Sequence, residues 1–168
     1  FHAIRQRLMG VTYTAEFGSG LSTLLFDAFR RQHLCLEQDL DQVEQLRPLL
    51  TNDSTDLHHT PIVDGPDPWY DWRPDGRQSD LLLIHGPADH VAGCRHFLAD
   101  LLAPAATLFV ADTQHAEQSQ LSDDLAGMYG FKAHRVQCPG GRAFDILTRQ
   151  ADSTVYEFGV GTELGAIL

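Results

Sequence analysis

The run Glu16-Phe17-Gly18-Ser19-Gly20-Leu21-Ser22-Thr23 carries the densest chemical signal in the chain. Gly18 and Gly20 present no Cβ, so a ligand can approach the backbone, and a helix starting just after them offers free N–H groups to a carboxylate. Glu37 follows Gly18 by 19 residues. At the end of the next strand, such a carboxylate can accept hydrogen bonds from ribose hydroxyls. Each part alone has a plainer reading: glycine pairs occur in structural turns, and an acid at a strand end can simply face water. Together, in this register, they point to a nucleoside-containing ligand.

Two common ligands fit poorly. A dinucleotide turn reads Gly-x-Gly-x-x-Gly or Ala, and Thr23 occupies the last small position here. The Gly-Lys-Ser/Thr of a nucleoside-triphosphate loop is absent, as is the Gly-x-Ser-x-Gly elbow of a hydrolase.

A second group of polar residues follows the later strands: His85, Asp89, His90, Asp112, His115 and Glu117. A histidine titrates near neutral pH and suits a general base, which makes His85 and His90 the catalytic candidates. His85 could equally be a packed histidine ending a buried strand. The set lacks tight ligand spacing such as His-x-x-x-His, so no metal is expected. His58 and His59 would alternate across a strand and could not chelate together.

The elements that must position these residues read as strands alternating with helices. Residues 11–17 form a strand, and Leu21, Leu24, Leu25 and Ala28 recur at helical spacing. Residues 33–37 form a second strand, and Asp39 opens a helix with Leu40, Val43 and Leu46 inward, ending near Pro48. Residues 57–63 predict a third strand, and residues 64–77, rich in Pro, Asp and Gly, a loop with three aromatics, Trp69, Tyr70 and Trp72. Residues 81–84 are continuously apolar, as in a central strand covered on both faces. Cys94, Phe97, Leu98, Leu101 and Leu102 form a helical stripe, and residues 107–111 a strand closed by Asp112. A helix over 117–129 and a hairpin of residues 131–138 and 143–148 around Pro139-Gly140-Gly141 complete the pattern. The expected fold is α/β: a doubly wound, mostly parallel seven-stranded sheet with helices on both faces and a C-terminal antiparallel hairpin. Ligands in such sheets bind beyond the strands' carboxyl ends, where the strand order reverses.

Residues 1–150 read as the ligand-binding domain and 151–168 as an extension without an assigned role. Residues 1–8 resemble the end of a helix rather than a signal peptide, so a preceding segment is expected. The chain of 168 residues carries 12 Lys and Arg and a formal charge of −11, which would repel nucleic acid and anionic membranes. No apolar run approaches the roughly 20 residues that span a bilayer. Cys35, Cys94 and Cys138 lack paired spacing and fit a reducing compartment, so a soluble, cytoplasmic protein is expected.

The glycine run, Cys35-Leu36-Glu37-Gln38-Asp39, Tyr70-Asp71-Trp72, Ser79-Asp80 leading to His85-Gly86-Pro87, and Val110-Ala111-Asp112-Thr113 resemble, in order and spacing, class I S-adenosylmethionine-dependent methyltransferases whose loop reads Glu-x-Gly-Ser-Gly-x-Ser-Thr. The resemblance runs from about Ala15 to Thr148 and implies a Rossmann-like fold and S-adenosylmethionine as cofactor. It implies that Glu16, Gly18, Ser19 and Gly20 line the methionine half, with Ser22 and Thr23 near its carboxylate. Glu37 would hold the ribose with Gln38 beside it, Tyr70 and Asp71 would lie near adenine, and His85 and Gly86 would close the floor. The family usually has Asp where this chain has His85. The function implied is methyl transfer to a small-molecule acceptor; a fold that binds without turnover, and a NAD- or nucleotide-sugar-dependent enzyme, are the alternatives. The acceptor and the oligomeric state are not legible.

Overall fold

The computed structural model describes residues 2–65, 68–86 and 95–149. Strands β1 (Tyr13–Phe17), β2 (Gln32–Glu37), β3 (Thr55–His59), β6 (Ser79–Ile84), β7 (Leu102–Val110), β8 (Phe131–Gln137) and β9 (Ala143–Arg149) form one sheet in the order β3-β2-β1-β6-β7-β9-β8. All pairings from β3 to β7 are parallel, and β9 inserts antiparallel between β7 and β8. The strand order turns around between β1 and β6, so the crevice lies over their carboxyl ends.

Side chains alternate across the central strands and supply both faces. Ala15, Phe17, Leu34, Leu36, Leu82, Ile84, Leu108 and Val110 face helices α4 (Arg95–Leu101) and α5 (Ala116–Tyr129) through Leu98, Leu101, Leu121 and Leu125. Leu81, Leu83, Phe109 and Ile146 face α1 (His2–Arg7) and α2 (Leu21–Ala28) through Ile4 and Phe26. Helix α3 (Leu40–Leu46) places Val43 and Leu46 on Cys35 and Leu57. Asp39 caps it, its carboxylate accepting from the N–H groups of Asp41 (2.9 Å) and Gln42 (3.3 Å).

Several local expectations shift. The third strand stops at His59, because Thr60 N–H donates to Glu37 O (2.7 Å) and Pro61 has no N–H to continue a ladder. The expected loop contains β5 (Trp69–Tyr70), paired antiparallel with β4 (Ile62–Val63). Trp69 and Tyr70 are both buried, and Trp69 meets Phe17 edge to face with centroids 5.1 Å apart. A Pro- and Asp-rich segment thus folds back to lid the core with aromatic area.

Helix α2 keeps its expected bounds but buries Thr23, Phe26 and Asp27, while Leu21 is 70% exposed and Ala28 is exposed. Helical periodicity holds with another phase, since Thr23 and Asp27 find hydrogen-bond partners inside. Leu40 is also exposed. Leu102, expected in the helix before it, begins β7, and Cys94 lies outside the described residues.

Candidate active site over the ends of β1 and β6

Gly18 leaves β1 with a positive φ of 85°, and a Cβ there would stand 2.9 Å from the backbone N of Gly86. The N–H groups of His85 and Gly86 both donate to Phe17 O at 2.9 Å, drawing the end of β6 against the turn. Glycine is required on both counts, conformation and space. Gly20 differs: its φ of 166° is extended backbone, and a Cβ there would meet no atom within 4 Å. Its surroundings are open to a ligand.

Glu16 lies beneath the turn, fully buried. Its carboxylate accepts from the hydroxyl of Ser22 and from Thr23 Oγ1 (2.7 Å), and Thr23 Oγ1 takes the N–H of Gly20 (3.0 Å). Glu16 and the buried Thr23 thereby fasten the first turn of α2 to β1, and Ser22 is half-buried above them. His33 Nε2 is 3.4 Å from the same carboxylate, its Nδ1 is 2.9 Å from Thr14 Oγ1, and its ring stacks on Phe26 at 4.5 Å.

The Cys35 thiol is pushed well above its ordinary pKa by burial and by the charge of Glu16. Ligand-type atoms of Glu16, His33 and Cys35 all lie within 4.8 Å of one another. The sequence gives Cys35 no site role and does not single out His33. The available signal was the alternation of His33, Cys35 and Glu37 along β2, in register with Thr14 and Glu16 on β1.

Glu37 ends β2 and is 7% exposed. One oxygen accepts from Ser19 N–H (2.6 Å) and Ser19 Oγ (2.7 Å), the other from Asp39 N–H (2.9 Å). The glycine turn and the acid found by spacing are therefore in direct contact. Gln38 beside it is exposed, and its carbonyl is 3.1 Å from His59 Nε2. Tyr70 is packed under the turn, 5.9 Å from the Phe17 ring, and burial, with Glu37 behind it, pushes its hydroxyl pKa well up, so it stays a neutral phenol. Asp71 is exposed, its N–H donating to Pro61 O (3.0 Å).

Beyond β6 the arrangement loosens. His85 is 51% exposed at its side chain, with Nε2 3.8 Å from Asp112 Oδ2. Asp112 closes β7 in a left-handed conformation, φ 56°. His115 and Glu117 start α5 and are exposed. Among the described residues these rim groups form no set of three within metal-ligand distance, whereas Glu16, His33 and Cys35 do. Asp89 and the second base candidate, His90, lie outside the described residues.

No protein-family model and no curated protein matches the chain. Solved structures do. The O-methyltransferase from Bacillus cereus in complex with S-adenosylhomocysteine is 11% identical with a TM-score of 0.67, over 87% of this chain and 78% of that one. The ribosomal protein L11 methylase from Lactobacillus delbrueckii is 12% identical with a TM-score of 0.65, over 88% and 75%. The O-methyltransferase TomG from Streptomyces achromogenes, involved in tomaymycin synthesis and solved with S-adenosylmethionine, is 15% identical with a TM-score of 0.63, over 87% and 76%. At these identities the likeness establishes the fold: the sheet, with its inserted hairpin, is that of the class I methyltransferases.

Proposed function

We propose that the protein binds S-adenosylmethionine across the ends of β1, β2 and β6 and transfers its methyl group to a small-molecule acceptor. The carrying observation is the contact of Glu37 with Ser19, which joins the ribose-type acid to the glycine turn at the point where the strand order reverses. The fold shared with methyltransferases supports the same reading.

In this reading a ribose hydroxyl would donate to the one acceptor site of Glu37 left open by Ser19 and Asp39, with Gln38 at the rim. The methionine half lies over Gly18, Ser19 and Gly20, its carboxylate toward Ser22 and the N-terminus of α2. Glu16 and Thr23, both buried, position that turn from below. Tyr70 backs the pocket, Asp71 would stand at the adenine side, and the backbone of Gly86, against which Gly18 packs, would form the floor.

Methyl transfer is an in-line displacement in which the cofactor supplies an activated methyl group on a sulfonium. The acceptor oxygen or nitrogen forms the new bond to carbon as the carbon–sulfur bond breaks, leaving a neutral thioether. The acceptor's proton passes to a base, for which His85 stands at the end of β6 with Asp112 behind it.

Isothermal titration with S-adenosylhomocysteine, set beside NAD and repeated on Glu37→Ala, tests the reading. Saturable binding of S-adenosylhomocysteine that the variant loses is expected. No binding by the wild type at millimolar ligand would overturn the proposal.

A further inference from the structure

A cavity of about 390 Å³ opens beside the glycine turn, on the sheet face that carries α1 and α2. Its apolar lining includes Ile4, Leu21, Leu83, Phe109 and Phe144. The Phe109 and Phe144 rings lie 6.2 Å apart, tilted by 35°. Leu21, left 70% exposed by the core, thereby has a role: it lines this space.

The polar side chains of the lining are Ser22, His85 and Arg142, and among the described lining residues there is no carboxylate. Arg142, on the connection between β8 and β9, is 76% exposed at its side chain, with Nε 4.0 Å from Asp112 Oδ1. That separation is an ion-pair contact but too long for a hydrogen bond, so the N–H groups of Arg142 are not committed to Asp112 and can meet an anion. The whole chain carries −11, which disfavours anionic ligands at long range, so a cation at this mouth is a local exception.

The geometry points to an aromatic carboxylic acid as the methyl acceptor. Its ring packs on Phe109, Phe144 and Leu21, and its carboxylate meets the Arg142 fork. Its hydroxyl lies toward Ser22 and His85, on the border that the cavity shares with the glycine turn through Gly20 and Ser22. The size is that of a small-ligand site. This assignment rests on the methyl-transfer reading for the word acceptor, but the binding site itself stands on the cavity and Arg142.

The test uses isothermal titration of 4-hydroxycinnamate and of its methyl ester into the wild-type chain and Arg142→Gln, with and without saturating S-adenosylhomocysteine. The acid is expected to bind alongside S-adenosylhomocysteine, to bind at least about tenfold more tightly than the ester, and to lose that margin in Arg142→Gln. S-adenosylhomocysteine affinity should be unchanged in the variant. Equal binding of acid and ester, an acid affinity indifferent to Arg142, or no acid binding overturns the assignment while leaving the cofactor proposal intact. Displacement of the acid by S-adenosylhomocysteine also overturns it, by giving the cavity to the cofactor. Arg142-dependent acid binding without any S-adenosylhomocysteine binding would support the site and sink the methyl-transfer reading instead.

Discussion

Around the turn after β1, Glu16 and Glu37 are at most 7% exposed, and their carboxylates are held by the chain's own hydroxyl and N–H donors. Across the crevice, His85, Asp112 and Arg142 are partly or largely open to solvent, at separations of 3.8 and 4.0 Å. The first group is fixed before any ligand arrives, because a buried carboxylate must be satisfied by the protein itself. The second group has water as its partner and can exchange it for a ligand. Under the proposed function, rigid recognition of a constant cofactor and adjustable recognition of a variable acceptor would be divided between the two sides of one crevice.

The largest expected effects test the fixed side. Gly18→Ala places a Cβ against the Gly86 backbone at a positive φ, and should destabilise the fold by about 4 kcal/mol in urea denaturation. Gly20→Ala, in open space with extended backbone, should change stability by less than about 0.5 kcal/mol. It should still weaken S-adenosylhomocysteine at least about tenfold by placing a methyl group in the ligand's path. Equal stability losses in the two variants would refute the distinction between a packing glycine and a ligand-facing one.

Next in size is Asp27, on α2. Burial alone would raise its pKa, but hydrogen bonds from Thr51 N–H and Oγ1, Asn52 N–H and Thr55 Oγ1 outweigh that and hold it below the ordinary value. A carboxylate with a depressed folded-state pKa stabilises the fold above its unfolded value of about 3.9, and that contribution is lost as pH falls through the folded value. Asp27→Ala should cost about 2 to 3 kcal/mol at pH 7, since four donors lose their acceptor. As pH falls below the unfolded value and through the folded one, the gap between wild-type and variant denaturation midpoints should narrow; a constant gap would show that the loss is packing rather than charge.

Legibility followed the same division. The glycine turn and Glu37 stood out because their spacing is set by one strand-helix-strand unit, and local sequence records local geometry. The sheet was readable for a similar reason, as the central strands are apolar on both faces. Trp69 and Tyr70 were read as loop aromatics because a two-residue strand leaves no period to detect. The phase of α2 was missed because Thr23 and Asp27 are buried by partners on β1 and before β3, which no helical stripe encodes. Arg142 went unnoticed because only the insertion of β9 beside β7 carries the hairpin connection to the end of β6.

The smallest expected effect belongs to the open side. His85→Ala removes a half-exposed side chain whose nearest ion-pair partner is 3.8 Å away, so stability should move by less than about 0.5 kcal/mol. S-adenosylhomocysteine affinity should also hold, because Gly86 contributes to the floor through its backbone. With an acceptor in hand, turnover should fall without a matching change in KM. A stability loss of 2 kcal/mol or more in thermal denaturation would instead make His85 part of the packing at the end of β6, and would extend the fixed side of the crevice across to the strand that borders it.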